Sequence, residues 1–310
     1  MLYTVTMNPA LDKTATVGNF RVDKVNKISS FREDPGGKGI NVSKVAAKLG
    51  EKSVAYAVLA GQTGEKIARM LQEGGIDVEA VMVKGETRTN LKVVDDVLGT
   101  NTDINEPGPV ISSQDANRLA KAITATIGDG DVVVVSGSLP QGIRKEFYAE
   151  LVVALRLTGA KVFLDADGEP LRVGIKARPS LIKPNDDELS RLVGRDLTSD
   201  AEIAEAARQL VSEGVEEVVV SMGGRGAIFA TEDKTILAKA PKVKVGSTVG
   251  AGDSVVAALA VAEMKGLELE DAARLAVATG SANVMCSGTQ AAEKSAVEAL
   301  IPSVVIEELA

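Results

Sequence analysis

Short runs of aliphatic and β-branched residues alternate with amphipathic stretches along most of the chain. Leu2 to Met7, Val54 to Leu59, Val132 to Val135, Lys161 to Leu164 and Glu217 to Val220 are continuously apolar or nearly so, the pattern of strands buried on both faces. The stretches 39–49, 65–73, 115–126, 145–157, 201–212 and 269–285 carry apolar residues at helical spacing, and Gly50, Gly74 and Gly214 stand where helix C-caps are expected. Such alternation predicts a largely parallel sheet covered by helices on both faces. Residues 13–33 and 86–106 break the rule. They alternate polar and apolar positions, as exposed antiparallel strands do, and predict a small second sheet that serves as a lid over a site, a dimer contact, or both. No repeat, low-complexity tract or linker interrupts the sequence, so residues 1–310 are expected to form a single domain.

Composition narrows the ligands. With 45% hydrophobic residues among 310, the chain can bury a substantial core. A net charge of −8 and no basic stretch argue against a nucleic-acid surface, and the absence of Trp, with 3 Tyr and 5 Phe, argues against recognition by aromatic stacking. The single cysteine, Cys286, cannot form an internal disulfide; with no basic leader and no long apolar run, a cytoplasmic protein without membrane partners is expected. There is no His at all. Histidine-ligated zinc and Ser-His-Asp chemistry are excluded, and a general base must be a carboxylate, Lys, Tyr or Cys.

The segment Thr248-Val249-Gly250-Ala251-Gly252-Asp253-Ser254 runs straight into an apolar helix. Its amides, unpaired at the helix start and aided by the helix dipole, suit a phosphate. A carboxylate beside a phosphate is repelled unless it takes a proton from an attacking hydroxyl, so Asp253 reads either as a general base or as a helix cap. Gly36-Gly37-Lys38-Gly39-Ile40-Asn41 is similar to a phosphate loop, but not to a Walker A: Arg32 stands five before Gly37, and Gly39 follows Lys38. The paired glycines allow close backbone approach, Lys38 supplies charge, and Asn41 offers a donor and an acceptor to a sugar or sugar phosphate. Asp12 and Ser138 follow strands, at the edge where open α/β sheets bind ligands. Arg88, Asn90 and Lys92 share one face of a strand, which is either an anion grip or a solvated face. Asn185 and Glu188 stand a helical turn apart after Lys183, and fit either a water-mediated magnesium site or a capping box. Ser221 to Ala227, with Gly223 and Gly226, fits a close approach to a nucleotide or a plain hairpin.

Taken together and in order, these motifs resemble the PfkB branch of the ribokinase-like sugar kinases, from Asn8 to Gly288, most specifically at Gly36 to Asn41 and at Thr248 to Ser254. The resemblance implies a three-layer α/β/α sandwich with a mostly parallel central sheet and a small β-sheet lid, ATP as donor, and Mg2+. It implies that Asp253 is the catalytic base with Gly250, Ala251 and Gly252 as anion hole. By the same match Lys183, Asn185, Ser221, Gly223, Gly226, Thr248, Gly250, Gly252 and Asn283 lie on the ATP side. Asp12, Gly37, Lys38, Asn41, Arg88, Asn90 and Ser138 lie on the acceptor side, and Asn185 with Glu188 organises magnesium through water. A homodimer through the lid is also implied. Asn8 to Asp12, Gly37 to Gly39 and Thr102 to Gly108 are most similar to the branch acting on fructose 1-phosphate, with tagatose-6-phosphate kinases next. Fructose-6-phosphate kinases of this family carry Arg where Asp103 stands. Lys38 and Arg88 are expected to be the counterions of the phosphate already on the acceptor. A monovalent-cation loop would involve Ser247, Val249 and Gly288, with Cys286 and Gln290 differing from some relatives. The alternative of another class is a sugar-phosphate-binding regulator without turnover.

Overall fold

A computed structural model describes residues 1–286 and 290–309. Its frame is a ten-stranded sheet in the order β14-β13-β12-β11-β10-β9-β8-β1-β4-β5, and a separate four-stranded sheet has the order β3-β2-β6-β7. The strands of the large sheet are β1 (Leu2–Thr6), β4 (Ser53–Ala60), β5 (Asp77–Val83), β8 (Val132–Ser136), β9 (Lys161–Asp165), β10 (Leu181–Ile182), β11 (Glu217–Ser221), β12 (Ala227–Ala230), β13 (Thr235–Lys239) and β14 (Val305–Glu308). The small sheet is built of β2 (Ala10–Val17), β3 (Ile28–Gly36), β6 (Arg88–Asp95) and β7 (Thr100–Asn105). The helices are α1 (Lys38–Lys48), α2 (Gly61–Glu73), α3 (Ser113–Thr124), α4 (Phe147–Arg156), α5 (Gly168–Gly174), α6 (Asp186–Val193), α7 (Asp200–Ser212), α8 (Ala251–Lys265), α9 (Leu269–Asn283) and α10 (Lys294–Leu300).

Each central strand feeds both layers, which is why its sequence is unbroken apolar. In β8, Val133 and Val135 belong to the core shared with α3, α4 and α7, while Val132 and Val134 belong to the core shared with α1, α8 and α9. Strands β5, β4, β1, β8, β9, β10 and β11 run parallel; β12, β13 and β14 continue antiparallel to the edge. This is the ribokinase-like sandwich that the motifs implied.

Strands β5, β10 and β12 to β14 lie outside the apolar runs named above: β5 is an edge strand with no fully buried position, and the others are only two to five residues long. Helix α2 starts at Gly61, ahead of the expected residue 65, because its first turn is capped from elsewhere: the Glu86 carboxylate accepts from the Thr63 amide at 2.5 Å. Gly50 and Gly214 take positive φ just past their helices, whereas Gly74 has φ −79 and Gly75 makes the left-handed turn. In the lid, β2 begins at Ala10 and β3 reaches Gly36, wider than 13–33, and residues 18–27 form the turn between them. One pairing differs from the expected antiparallel arrangement: β2 and β6 run parallel, Asp12 beside Asn90 and Thr14 beside Lys92, since both strands leave the large sheet at the same edge.

Candidate functional site

The carboxyl ends of β1, β8, β9, β10 and β11 and the start of α8 converge beneath the lid. Gly250 is the N-cap of α8, left-handed at φ 77 and without any side-chain cap, so the first amides of the helix are unspent on protein side chains. Asp253 stands in the first turn of α8 and does not cap it; its Oδ2 accepts from Asn41 Nδ2 at 2.8 Å. Burial pushes the Asp253 carboxyl up to about 6; Asp165 adds repulsion, and Lys38, the Asn41 hydrogen bond and Lys183 work against both. A Cβ at Gly252 would lie 3.1 Å from Lys183 Nζ, so a side chain there would press on that ammonium and displace it.

Asp165, at the end of β9, is the buried charged residue of this site that sequence reasoning did not single out. Its Oδ1 lies 3.4 Å from Lys38 Nζ and 3.7 Å from Lys183 Nζ, and its Oδ2 is buried without a partner. Burial opposes its charge, but Lys183 and Lys38 outweigh that and hold its pKa below the usual carboxylate value. Lys38 is in turn raised: burial lowers it, and Asp165, Asp253 and Glu188 more than compensate. The available signal was position alone, since Asp165 closes a central strand at the same edge as the other site residues.

Two cavities meet at the turn before α8. One, of about 630 Å³, is lined by Ser221, Gly223, Gly226, Thr248, Ala251 and Gly252 together with Val243, Val255, Val277 and Val284. The Ser221–Ala227 segment is thus both a hairpin, joining β11 to β12, and a cavity wall. The other, of about 250 Å³, is lined by Asp12, Thr14, Gly37, Lys38, Asn41, Arg88, Asn90, Lys92, Asp103, Asn105 and Val249. Asn90 Nδ2 donates to Asp12 Oδ1 at 2.9 Å, and burial raises the Asp12 carboxyl above its ordinary pKa. Asn41 Oδ1 and Asn90 Oδ1 are buried acceptors without partners, which suits a ligand rich in hydroxyl groups.

Several expected residues are placed beside these cavities instead of in their walls. Ser138 Oγ accepts from Asn8 Nδ2 at 3.3 Å, and Asn283 Nδ2 donates to the Val249 carbonyl at 3.4 Å, steadying the turn before α8. Arg88 lines the smaller cavity but donates to the carbonyls of Asn8 (3.0 Å), Pro9 (3.4 Å) and Glu106 (3.3 Å), tying the lid to the β1–β2 turn. Lys38 also lines it, with its ammonium turned to Asp165. Asn185 and Glu188 form a full capping box on α6: Asn185 Oδ1 accepts from the Glu188 amide at 2.7 Å, and Glu188 Oε2 accepts from the Asn185 amide at 2.9 Å. Neither residue ligates through a three-carboxylate cluster, for none exists among the described residues. Gly288 of the expected cation loop lies outside the described residues. Ser247 and Val249 are joined by a bond from the Val249 amide to Ser247 Oγ at 3.3 Å. No helix among the described residues is long and apolar enough to cross a membrane.

A two-cavity site at the carboxyl edge of a parallel sheet, with a buried carboxylate and a helix N-terminus uncapped by any side chain where the cavities meet, defines a class of phosphoryl-transfer enzyme. Comparison with known proteins narrows it. Residues 5–296 match the model of the pfkB family of carbohydrate kinases. The chain is 41% identical over 276 residues to a 1-phosphofructokinase of Rhodobacter capsulatus, covering 89% of this chain and 87% of that protein. It is 37% identical over 309 residues to a 1-phosphofructokinase of Bacillus subtilis (strain 168), covering 100% of both. Among solved structures, phosphofructokinase-2 from Escherichia coli in complex with potassium superposes with a TM-score of 0.94 at 32% identity, covering 97% of this chain and 98% of that one. The chain therefore belongs to the pfkB family of carbohydrate kinases, enzymes that transfer a phosphoryl group from ATP to a sugar hydroxyl.

Proposed function

We propose that the enzyme phosphorylates fructose 1-phosphate at its C6 hydroxyl, giving fructose 1,6-bisphosphate and ADP. The names of the relatives support this acceptor. The observation that carries the reaction is the meeting of two cavities at the Thr248–Gly252 turn, with Asp253 beside it. The larger, mainly apolar cavity takes the nucleotide, its valines against the base and its glycines allowing close backbone approach. The smaller one takes the sugar, with Asp12, Asn41 and Asn90 bonding its hydroxyl groups. Ser138, through Asn8, and Asn283, through Val249, position the walls of these cavities.

In the mechanism, Asp253 accepts the proton of the C6 hydroxyl as that oxygen attacks the γ-phosphorus in line. A carboxyl held near pKa 6 is ionised at neutral pH yet basic enough to take up that proton. Asn41 orients the Asp253 carboxylate through its hydrogen bond. The amides of Gly250, Ala251 and Gly252 stabilise charge on the transferred group, and Lys38 and Lys183, held by Asp165, add positive charge to the same space. Closure of the lid excludes water from the transfer.

Mg2+ fits this donor set as a largely hydrated ion. The cap engages only Oε2 of Glu188, and the unpartnered Asp165 Oδ2 would offer a further oxygen ligand. Glu188 with Asn185, through water, and Asp165 would hold it. When bound, it neutralises phosphate charge. A monovalent cation beside Ser247 and Val249 is a further expectation, checked by assaying the enzyme in potassium and in tetramethylammonium salts.

The lid supports a homodimer. Its cavity face is polar, whereas its outer face carries Phe31, Ile104 and Leu91, the first two more than half exposed (52% and 54%). Val22, Val25, Val97 and Leu98 extend this apolar surface at the lid tip. A second copy of the chain is the occupant with a matching face. Light scattering on Phe31→Asp and Ile104→Lys variants tests it: a monomer is expected, and an unchanged dimer contradicts it.

A coupled ADP-release assay with fructose 1-phosphate, tagatose 6-phosphate and fructose 6-phosphate tests the acceptor. Fructose 1-phosphate is expected to have the highest kcat/KM. Binding without turnover of any of them would instead indicate a regulator.

A further inference from the structure

Of the cationic groups lining the smaller cavity, two are already committed. Lys38 faces Asp165, at the end of the cavity where the reacting hydroxyl meets Asp253. Arg88 has three donors on backbone carbonyls at the root of the lid. The third is Lys92. Cross-strand register places Asp12, Asn90 and Asn105 in one row of the cavity face, and Thr14, Lys92 and Asp103 in the next row outward. Lys92 therefore stands about 13 Å along the strand from Arg88 and about 7 Å beyond Asn90. Its side chain is only 12% exposed, and Nζ pairs with Asp103 Oδ1 at 3.1 Å; the Asp103 side chain is 49% exposed.

In a ketohexose phosphate that becomes a 1,6-bisphosphate, the reacting hydroxyl and the phosphate already present lie at opposite ends of the sugar. With the hydroxyl at Asp253, that phosphate lies on the lid side, away from Lys38. We propose that Lys92 is the specificity-determining counterion of the acceptor's existing phosphate, and that Asp103 is a displaceable partner which holds Lys92 in place until the phosphate arrives. This rests on the reading of the substrate as a phosphorylated sugar. A phosphate carries more charge than a carboxylate and has three acceptor oxygens, so it outcompetes Asp103 for the ammonium. Asp103, half in water, swings out with little loss of solvation. An unphosphorylated sugar leaves the Lys92–Asp103 pair closed and draws nothing from it, so the pair rewards only the phosphorylated acceptor.

Steady-state kinetics on Lys92→Met, Lys92→Arg and Asp103→Asn, with fructose 1-phosphate and with plain fructose, test this. Lys92→Met is expected to raise KM for fructose 1-phosphate at least ~10-fold, as loss of a charge-assisted contact does, while kcat/KM for fructose and KM for ATP stay within about twofold. Lys92→Arg recovers most of the loss. Asp103→Asn frees the ammonium and removes a like charge, and lowers KM for fructose 1-phosphate by about two- to fivefold. Equal losses on both sugars in Lys92→Met, or a KM that rises in Asp103→Asn as it does in Lys92→Met, would reduce the pair to a cross-strand brace and overturn the proposal. If another sugar phosphate wins the substrate panel, the fructose 1-phosphate reading fails by itself; the Lys92 comparison is then decided on that sugar, whose phosphate is likewise remote from its reacting hydroxyl.

Discussion

The two edges of the central sheet each bury a carboxyl group whose proton is held unusually tightly, and they do so to different ends. At the carboxyl edge, burial brings Asp253 to about 6, and Asn41, Lys38 and Lys183 restrain the shift. At the amino edge, Glu217 opens β11, burial brings it up to about 7, Glu263 of α8 pushes the same way, and its Oε1 has no partner. A raised pKa alone therefore does not mark a catalytic group. What separates the two is the company: beside the repelling Asp165, Asp253 has cations, a hydrogen-bond donor, helix amides unspent on side chains and two cavities, whereas the charged neighbour that shifts Glu217 is the carboxylate of Glu263.

The largest effect expected from breaking this comparison is on turnover. Asp253→Asn keeps shape and removes the proton acceptor, and should lower kcat by roughly 10²- to 10⁴-fold with little change in substrate affinity. Glu217→Gln, the matching change at the other edge, should leave kcat within about twofold. Similar losses from both, measured by the ADP-release assay, would erase the distinction between the two edges.

The next effect is on the lid. Arg88→Ala removes bonds to three carbonyls at the lid root, so KM should rise by ~10-fold or more for fructose 1-phosphate and several-fold for plain fructose too, with KM for ATP within about threefold. A loss confined to the phosphorylated sugar would move Arg88 from lid brace to phosphate ligand.

Stability supplies a smaller effect with a definite sign. A carboxyl whose folded pKa is raised contributes stability that is fully present below its unfolded pKa near 4.5 and is lost as pH rises through about 7. Glu217→Gln should therefore raise stability by about 1–3 kcal/mol at pH 8 and by much less at pH 5, read from urea unfolding at the two values. Equal effects at both would mean that Glu217 ionises freely. The smallest expected change is at α6: Glu188→Gln should raise the magnesium concentration for half-maximal rate a few-fold while the protein stays folded. An unchanged magnesium curve with a lower Tm would leave Glu188 with its cap alone.

How far the sequence anticipated this site follows from the range of the forces involved. The strands of the parallel core were legible because burial on both faces leaves unbroken apolar runs, as in Val132 to Val135. The turn before α8 and the Gly37 loop were legible because glycines at special backbone positions and unpaired amides are local features. Non-local arrangements were not. The start of α2 depends on Glu86, and the parallel β2–β6 pairing depends on where the two strands leave the sheet. The direction of Lys38 depends on Asp165, 127 positions away, which no spacing rule connects to it. The alternatives at Asn185 and Glu188 stayed open for the reverse reason, since a capping box and an outer ligand set call for the same residues at the same spacing.

The central claim is that Asp253 takes the proton, and the pH dependence of kcat tests it most directly. The account predicts that kcat rises with pH on a limb with an apparent pKa near 6, and that the residual rate of Asp253→Asn lacks that limb. The same limb in both proteins would show that some other group is the base.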